Sequence, residues 1–426
     1  MSDATCWPEL LVGFDRIHVL GVTRVDGLVT VTIETTDTVM WCSRCGTQAQ
    51  VKDRTDVTLI DLPVFGTPSR LVWRKRRWKC PNTSCDAPSA TETRGDIAPT
   101  RSVMTTRAGI WATLAVGQEL RPVSRVSGGL GVAWATVMDT VRLYGDWLIA
   151  DPARLAGIHA LGVDETKFLA GNRDRRTSWV TAICDVARRF VADIVADRNA
   201  AAVTNWVDGQ PDHVTAGVSV VVSDISSAYA SALRQAFPDA VYVVDRFHIV
   251  QAGNRCVDET RRRVQNDTKG HRGRKTDPLY RARKLALIGE ERLDDRGMSK
   301  LQALLAAGDP NGHVFEAWAA KEAVRGIYER ENVDEAGWWL DETIDAARTA
   351  HGPEVRRLGR MLGRWRTEIL AFHTTHMSNG PVEGLNSIIK KLKRIAAGFR
   401  SFPNYRCRIL LACGNINWRL LNPAHL

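Results

Sequence analysis

Short runs in which apolar and polar side chains alternate dominate residues 1–95. Alternation predicts strands with one buried face, and turns rich in Gly, Pro and Cys separate the runs VTRVDGLVTVTIET, DVTLIDLP and SRLVWRKRRWKC. Residues 1–95 are therefore predicted to form a small β-rich module.

Apolar residues at helical spacing replace this alternation over residues 96–150. The segment RAGIWATLAVGQEL predicts one helix, and VSRVSGGL and AWATVMDTVRLYG predict two more, joined by a tight turn at Gly131 and Val132. Two helices with such a turn are typical of a helix-turn-helix, in which Trp134 and Thr136 would face the major groove of DNA. A helix pair that serves only packing explains this pattern equally well.

Residues 151–250 show three strand patterns, followed by helix, strand, helix and strand, which predicts an α/β sheet of mixed direction. The strand patterns are HALGVDETKF, SWVTAICDV, RRFVADIVAD, VSVVVSD and AVYVVDRFHIV, and the helical ones are NAAAVTNWVDG and AYASALRQAF. Strand patterns are missing from residues 251–375, which are predicted to form a helical insertion. The chain is thus expected to be a multidomain α+β protein.

Residues 376–426 begin with SNGPVEGLNSIIKKLKRIAAGF, a pattern typical of an amphipathic helix. Its predicted apolar stripe consists of Leu385, Ile388, Ile389, Leu392 and Ile395. We expect this segment to complete the α/β region after the insertion.

The composition, 44% hydrophobic and 25% charged over 426 residues, is typical of a soluble globular protein of two to four domains. The start MSDATCWPELLVGFD lacks the pattern of a secretion signal, and no segment approaches the ~20 apolar residues of a membrane span. A cytoplasmic protein without a membrane partner is expected.

Positive charge is concentrated in three stretches, although the whole chain carries only +10. Residues 70–79 hold six bases and no acid, residues 255–284 hold eleven bases and four acids, and residues 388–408 hold seven bases and no acid. One such run is usually a solvated surface, whereas three on an otherwise acidic chain favour contact with a polyanion. The candidate DNA contacts in these runs are Arg74, Lys75, Arg76, Arg77, Arg261, Arg262, Arg263, Lys390, Lys391, Lys393 and Arg394.

Four of the nine cysteines form two close pairs, Cys42 with Cys45 and Cys80 with Cys85. Four thiolates at this spacing suit one tetrahedral structural Zn²⁺. A redox-active CxxC motif is the alternative, but it needs only one pair. The four residues between Cys80 and Cys85 make the second knuckle wider than the usual two-residue gap.

Three acidic residues are candidates for a second metal site. Asp164 and Asp224 are expected at the ends of two neighbouring strands, where ligands bind in α/β sheets. Glu383 lies in the first turn of the amphipathic helix, which Ser378 or Asn379 would cap. For each acid taken alone, an ordinary turn or capping role is the better explanation.

The segments GVDETKF, VSDISSAYASAL, DRFHIVQ and SNGPVEGLNSIIKKLKRIAAGFR resemble, in order, blocks of the ISL3-family insertion-sequence transposases. The resemblance covers nearly the whole chain, from the cysteine pairs to the carboxyl end. It implies an amino-terminal zinc finger, and a ribonuclease-H-like catalytic core interrupted by a helical insertion. It also implies that Asp164, Asp224 and Glu383 bind two Mg²⁺ or Mn²⁺ ions that cut and join DNA strands.

Asp245 and His248 resemble the D-x-x-H signature of many DDE transposases, and we weigh a catalytic role and a structural Asp-His pair evenly. Glu165, on the opposite face of the strand from Asp164, is a second-choice ligand.

The function that the resemblance implies is transposition by a DDE transposase. Its expected partners are the terminal inverted repeats and the target DNA, both double-stranded, and its expected assembly on them is a homodimer or a higher oligomer. The five expected regions are 1–95, 96–150, 151–250, 251–375 and 376–426. A structure-selective nuclease and a catalytically inactive DNA-binding regulator remain alternatives.

Overall fold

A computed structural model describes residues 7–171 and 176–422, which form two compact units. The first unit contains the residues up to Arg154 together with those from Ile389 onward, and the second is Leu155–Ile388. No helix in the described part of the chain combines the length and the apolar character needed to cross a membrane.

A twisted sheet dominates the amino-terminal part of the first unit. A short helix precedes it, and the elements are α1 (Trp7–Val12), β1 (Ile17–Val25), β2 (Leu28–Thr35), β3 (Gln50–Val64), β4 (Thr67–Lys79) and β5 (Ala90–Thr91). The strand order is β1-β2-β4-β3, with β5 against β4, and only β2 and β4 run parallel. Ile33, Leu59, Leu71 and Trp73 form its core, each at most 1% exposed. The strands that alternation predicted in residues 1–95 are therefore present.

Three helices follow, α2 (Thr106–Gly117), α3 (Val123–Leu130) and α4 (Trp134–Ile149). Gly131 adopts a left-handed φ of +61° between α3 and α4, which ends α3 and turns the chain. The helices and the turn lie where the sequence predicted them. Most of the apolar positions behind this prediction are buried, namely Val123, Val126, Leu130, Val137 and Val141.

The second unit is built on a five-stranded mixed sheet, and the α/β prediction is confirmed. Its elements are β6 (Ala160–Leu169), β7 (Ser178–Asp185), β8 (Phe190–Ala196), α5 (Ala200–Asp208), α6 (Asp212–Thr215), β9 (Val220–Ser223), α7 (Ser227–Ala236) and β10 (Val241–Val244). The strand order is β10-β9-β6-β7-β8. Strands β6, β7 and β8 pair antiparallel, whereas β9 runs parallel to both β6 and β10.

Helices alone make up residues 251–375, as predicted, but the first of these helices begins earlier. They are α8 (Arg246–Lys269), α9 (Pro278–Ala282), α10 (Asp295–Gly308), α11 (His313–Ile327), α12 (Val333–Thr349), α13 (Pro353–Arg364) and α14 (Arg366–Thr375), with short 3₁₀ turns between α9 and α10. The strand pattern AVYVVDRFHIV is wrong beyond Val244, because Asp245 is the N-cap of α8. The apolar face of α8, with Ile249 and Val257, packs into the same core as the sheet.

Two helices end the chain, α15 (Gly380–Ile395) and α16 (Phe402–Cys413). Residues 376–388 belong to the second unit, whereas the residues from Ile389 onward belong to the first. In the first unit, α16 packs closely on α4, since a Cβ added to Gly145 would lie 2.9 Å from Sγ of Cys407. The predicted stripe of α15 is buried at Leu385, Ile389 and Leu392, but Ile388 is 38% exposed.

Candidate active site and metal centre

Asp164 and Asp224 lie at the same level of two adjacent parallel strands. Gly162 of β6 pairs with Val222 of β9, so the positions two residues later, Asp164 and Asp224, are also level. Asp224 directly follows β9, as predicted, whereas Asp164 is within β6, which continues to Leu169. The prediction that Asp164 ends its strand is wrong, because antiparallel pairing with β7 extends β6 beyond the end of β9.

Burial disfavours the charged form of both aspartates. It raises the pKa of Asp164 to about 6, an effect that the charge of Asp224 increases and that His248 and Asn386 oppose. Burial likewise raises the pKa of Asp224; His248 lowers it and Asp245 raises it further. The Oδ1 atom of Asp224 is buried without a hydrogen-bond partner, and so is Oδ2 of Asp245. A buried carboxylate oxygen without a hydrogen-bond partner is suited to bind a hard cation.

Two asparagines, at the start of α15 and within it, attach this helix to β6. The side-chain amide of Asn386 donates to Oδ2 of Asp164 at 2.6 Å, and that of Asn379 donates to the carbonyl oxygen of Val163 at 3.2 Å. The backbone N–H of Asn379 donates to Oδ1 of Asp245 at 3.1 Å. Sequence reasoning missed both side-chain contacts, although Asn386 lies one helical turn after Glu383, on the same helix face.

Glu383 occupies the first turn of α15, as predicted. Its N–H donates to the carbonyl oxygen of Asn379 at 3.0 Å, so Asn379, rather than Ser378, is the N-cap of α15. The exposed Glu383 side chain borders a cavity of about 460 Å³ that Asp245, Arg246 and Tyr328 also line.

The carboxylate of Glu383 does not join those of Asp164 and Asp224 at metal-ligand spacing. In the described parts of the chain, the four paired cysteines are the only group of three or more Cys, His, Asp or Glu side chains whose ligand atoms all lie within 4.8 Å of one another. Asp224 and His248 lie near enough to Asp164 to act on it electrostatically, as Asp245 and His248 do on Asp224, whereas Glu383 lies one turn from Asn386. The second-choice ligand Glu165 instead contacts Arg198 at 3.5 Å.

The four paired cysteines converge as the sequence predicted. The Sγ atoms of Cys42 and Cys85 lie 3.8 Å apart, and those of Cys45 and Cys80 lie 3.5 Å apart. Sulfurs around a tetrahedral Zn²⁺ with bonds of ~2.3 Å are separated by roughly 3.8 Å, so the cluster fits this ion. Hydrogen bonds with the side chain and backbone of Thr47 lower the pKa of the Cys45 thiol to about 6, whereas burial and hydrogen bonds with neighbouring thiols raise the pKa of Cys80. Bound Zn²⁺ would favour the thiolate form of all four cysteines.

Three of the six bases in residues 70–79 form ion pairs with acidic residues. Arg74 contacts Asp56 at 3.2 Å and Arg77 contacts Asp53 at 3.3 Å, since β3 places these acids directly opposite. The prediction that no acid compensates this run is therefore wrong, because the acids lie on β3 and not within residues 70–79.

Arg76 is buried, and its guanidinium group contacts Oε1 of Glu34 at 2.7 Å and the carbonyl oxygen of Thr35 at 2.9 Å. The guanidinium is committed to contacts inside the protein, so Arg76 is no longer a candidate DNA contact. Trp73 and Trp78, the two tryptophans of the same strand, are both buried. Lys75 lies over the Trp73 ring, 3.9 Å from its centroid.

Exposure divides the remaining candidates for DNA contact. Arg261 is 5% exposed and contacts Asp258 at 2.6 Å, which removes it as a candidate, and Arg263 contacts Glu354 at 2.9 Å. The half-exposed side chain of Arg262 remains accessible, although it too contacts Asp258. Five further candidates are exposed or partly exposed on helices: Trp134, Thr136, Lys390, Lys391 and Arg394. Lys393 is partly buried.

Comparison with known proteins places this geometry in context. The ISL3 DDE family model, described as "Transposase", matches residues 161–409, more than half of the chain. A second model, described as the zinc-finger of transposase IS204/IS1001/IS1096/IS1165, matches residues 38–85, which include all four paired cysteines.

Three curated proteins are similar over long segments. Transposases for insertion sequence element IS1557 from two Mycobacterium tuberculosis strains are 26% identical over 291 residues, which is 63% of this chain. The matched part also spans 63% of the length of these IS1557 relatives. The transposase for IS1001 from Bordetella parapertussis is 25% identical over 377 residues, covering 86% of this chain and 87% of that protein.

Proposed function

The chain belongs to the ISL3 family of transposases, and on that premise we propose that it is a DNA transposase with a two-metal DDE mechanism. It would bind the terminal inverted repeats of an insertion sequence, cleave the 3′ ends of the element and transfer them to target DNA. The observation that carries this proposal is the level placement of Asp164 and Asp224 on parallel strands, with an unpartnered oxygen on Asp224.

This pair of aspartates supports a site for two Mg²⁺ or Mn²⁺ ions. Both carboxylates have raised pKa values because of burial, and bound cations would offset the cost of ionising them. When bound, the two ions supply an activated nucleophile and stabilise the leaving oxygen of the phosphodiester. The sheet order β10-β9-β6-β7-β8, with antiparallel strands on one side of β6 and parallel strands on the other, supports a ribonuclease-H-like core.

Glu383 is proposed as the third metal ligand. Glu383 and Asn386 are three residues apart on α15, and Cβ atoms at this spacing on a helix are separated by roughly 5–6 Å. Glu383 therefore lies about one turn from Asn386, whose side-chain amide donates to Asp164. Its side chain is exposed and free of hydrogen-bond partners in the described structure, which allows it to change rotamer toward the aspartates.

Asp245 and His248 are proposed to act beside the metal ligands. Asp245 accepts the backbone N–H of Asn379 and so ties the start of α8 to the start of α15. His248 lies close enough to lower the pKa values of Asp164 and Asp224 when it is charged. A ring at this place is suited to donate a hydrogen bond to the scissile phosphate.

DNA binding is proposed to involve several surfaces. The zinc module, with a structural Zn²⁺ on its four cysteines, and the pair α3 and α4 with Trp134 and Thr136 would bind the terminal repeats. Accessible cations of the helices, such as Arg262, Lys390, Lys391 and Arg394, would contact phosphates of the flanking or target DNA. Two element ends must be held together for transposition, so a homodimer or a larger assembly is expected on DNA.

A cleavage assay with Asp224→Asn tests the proposal. We expect purified wild-type protein with Mg²⁺ to nick duplexes that carry the element ends and to join them to target DNA. Asp224→Asn should abolish both products and leave binding of the end duplex unchanged. The substitution removes the negative charge of the side chain but keeps its volume. Asp239→Asn, at an exposed aspartate between α7 and β10, is the matched control and should behave as wild type.

Other outcomes of this assay identify the alternatives. Nicking without joining would indicate a nuclease, and binding without any cleavage would indicate a regulator. Full activity of Asp224→Asn would refute the metal-ligand assignment. Mg²⁺ should also raise the melting temperature of the wild type more than that of Asp224→Asn, which gives a measurement independent of cleavage.

A further inference from the structure

The tip of the hairpin formed by β3 and β4 holds an aromatic ring in solvent. Val64 and Thr67 form the last strand pair, and Phe65 and Gly66 make a two-residue turn between them. The side chain of Phe65 is 96% exposed, more than any other large apolar side chain that the structure describes. Solvation therefore disfavours a phenylalanine at this position.

The backbone conformation disfavours it as well. Phe65 has a φ of +48° and Gly66 a φ of +78°, the left-handed values that a type I′ hairpin turn requires. Such turns prefer Asn-Gly or Asp-Gly, because the Cβ of a bulky residue at positive φ crowds the backbone. Phe65 stabilises neither the turn nor a core.

The chain itself contains the turn that folding alone would favour. The hairpin of β1 and β2 turns at Asp26 and Gly27, with φ values of +49° and +75° that are nearly the same. One turn therefore has the favoured Asp-Gly sequence, whereas the other carries Phe in the same conformation. Since the backbone needs are equal, we attribute the difference to a partner that the Phe65 ring contacts.

The tip is held beside the turn between α3 and α4. Nη1 of Arg70 donates to the carbonyl oxygen of Leu130 at 3.1 Å, and Nη2 donates to that of Gly131 at 2.7 Å. A Cβ added to Gly131 would lie 3.0 Å from Cβ of Pro68, so strand and turn are in close contact. These contacts fix the tip relative to α4, which begins with Trp134, 48% exposed.

The charges around the tip identify the kind of partner. Residues 62–69 contain no acid and no base, and the nearest acid before them, Asp61, is buried against Arg107 and Thr105. Arg70 contacts no carboxylate within 4.0 Å among the residues described, so its positive charge is not neutralised. An apolar projection next to an unneutralised cation, without acids, complements the apolar base stack and the phosphates of a DNA duplex.

We propose that Phe65 is a wedge that inserts between neighbouring base pairs of the duplex bound by α3 and α4, and thereby unstacks and bends it. This inference rests on the proposed function, because it assumes that DNA is the ligand. Apolar side chains that enter a base step locally unstack it and kink the duplex. The contacts of Arg70 and Pro68 with the turn between α3 and α4 suit this role, since a wedge must not fold back when it meets the bases.

The experiment uses the full chain and duplexes from the ends of the element that encodes it, with 2-aminopurine placed at successive positions. The fluorescence of 2-aminopurine rises when the base is unstacked, and energy transfer between dyes at the duplex ends reports bending. Phe65→Asn removes the wedge and supplies a residue that the turn prefers, so the protein should melt no lower than wild type. Phe65→Trp keeps a ring, and Asp26→Asn is the matched control at the equivalent turn.

Wild type and Phe65→Trp should raise fluorescence at one base step and bend the duplex, and so should Asp26→Asn. Phe65→Asn should abolish both signals and weaken binding by about tenfold, as expected for the loss of one stacking side chain. Unchanged unstacking and bending by Phe65→Asn would overturn the wedge but leave the proposed function intact. Loss of a dimer in sedimentation with unchanged unstacking would show a protein contact instead, and failure of the wild type to bind either end would overturn both proposals.

Discussion

The side-chain amide of Asn386 donates a hydrogen bond to Oδ2 of Asp164 at 2.6 Å, although the two residues are 222 positions apart in the sequence. The contact joins the first turns of α15 to the central strand β6 of the sheet. It fixes the orientation of the Asp164 carboxylate and positions α15, which carries Glu383, beside β6. We regard Asn386 as a positioning residue for the proposed metal site.

Replacement of Asn386 by Ala should slow cleavage by about 10–100-fold, the usual effect of losing a group that orients a metal ligand. The Mg²⁺ concentration needed for half-maximal cleavage should rise, because Asp164 is no longer held in place. Single-turnover cleavage over a Mg²⁺ titration measures both changes. Ser387→Ala is the control, since its exposed hydroxyl donates only to the carbonyl oxygen of Glu383. An unchanged Mg²⁺ dependence would mean that the contact is only structural.

Gly162 allows the close approach of β6 and α15. An added Cβ would clash with Val186, and it would lie 2.7 Å from Oδ1 of Asn379 and 2.9 Å from Cγ2 of Val382. Gly162→Ala should therefore displace α15, lower stability by about 1–3 kcal/mol and reduce cleavage. Chemical denaturation and the cleavage assay measure the two effects.

Gly21→Ala provides the comparison, because nothing lies within 4 Å of the added methyl group at this strand glycine. It should retain wild-type stability to within a few tenths of a kcal/mol, the usual effect of a surface change. If Gly162→Ala melted and cleaved like Gly21→Ala, the close packing of α15 on β6 would not matter for the site.

Alanine variants of Arg76 and Arg74 should distinguish a loss of folding stability from a loss of DNA affinity. Arg76→Ala leaves Glu34 and Glu92 without their buried cation and should cost about 3–5 kcal/mol of unfolding free energy. Arg74→Ala removes an exposed side chain that pairs with Asp56 and should change stability by less than about 1 kcal/mol. Urea denaturation and DNA-binding titrations distinguish the two. A weaker DNA affinity for a fully folded Arg76→Ala would contradict the structural role.

Removal of zinc should unfold the region around the four cysteines. One equivalent of Zn²⁺ is expected in the purified protein, and a strong chelator should lower the melting temperature, because structural zinc contributes directly to folding. Cys80→Ser should lose the metal, whereas Cys413→Ser, outside the cluster, should retain it. Metal analysis and thermal melts test this, and a Cys80→Ser variant with full zinc content would refute the four-cysteine site.

Local patterns in the sequence determined the elements of the fold. Alternation marked the strands of the amino-terminal sheet, and helical spacing marked α2, α3, α4 and the residues 251–375. These predictions succeed because periodicity reflects which face of an element is buried, and neighbouring residues decide that face. The pattern failed at Asp245, where an apolar run continues while the backbone changes from strand to helix.

Only the tertiary structure decided which side chains meet. The sequence offered Asp164, Asp224 and the four cysteines as candidates, but the pairing of β6 with β9 sets the two aspartates level. The sequence could not show that Asp53 and Asp56 pair with Arg77 and Arg74, or that Asn386 contacts Asp164. Contacts between residues far apart in sequence depend on strand register and helix docking, which no local pattern encodes. The sequence thus determined which side chains are available, whereas the fold determined which partner each side chain contacts.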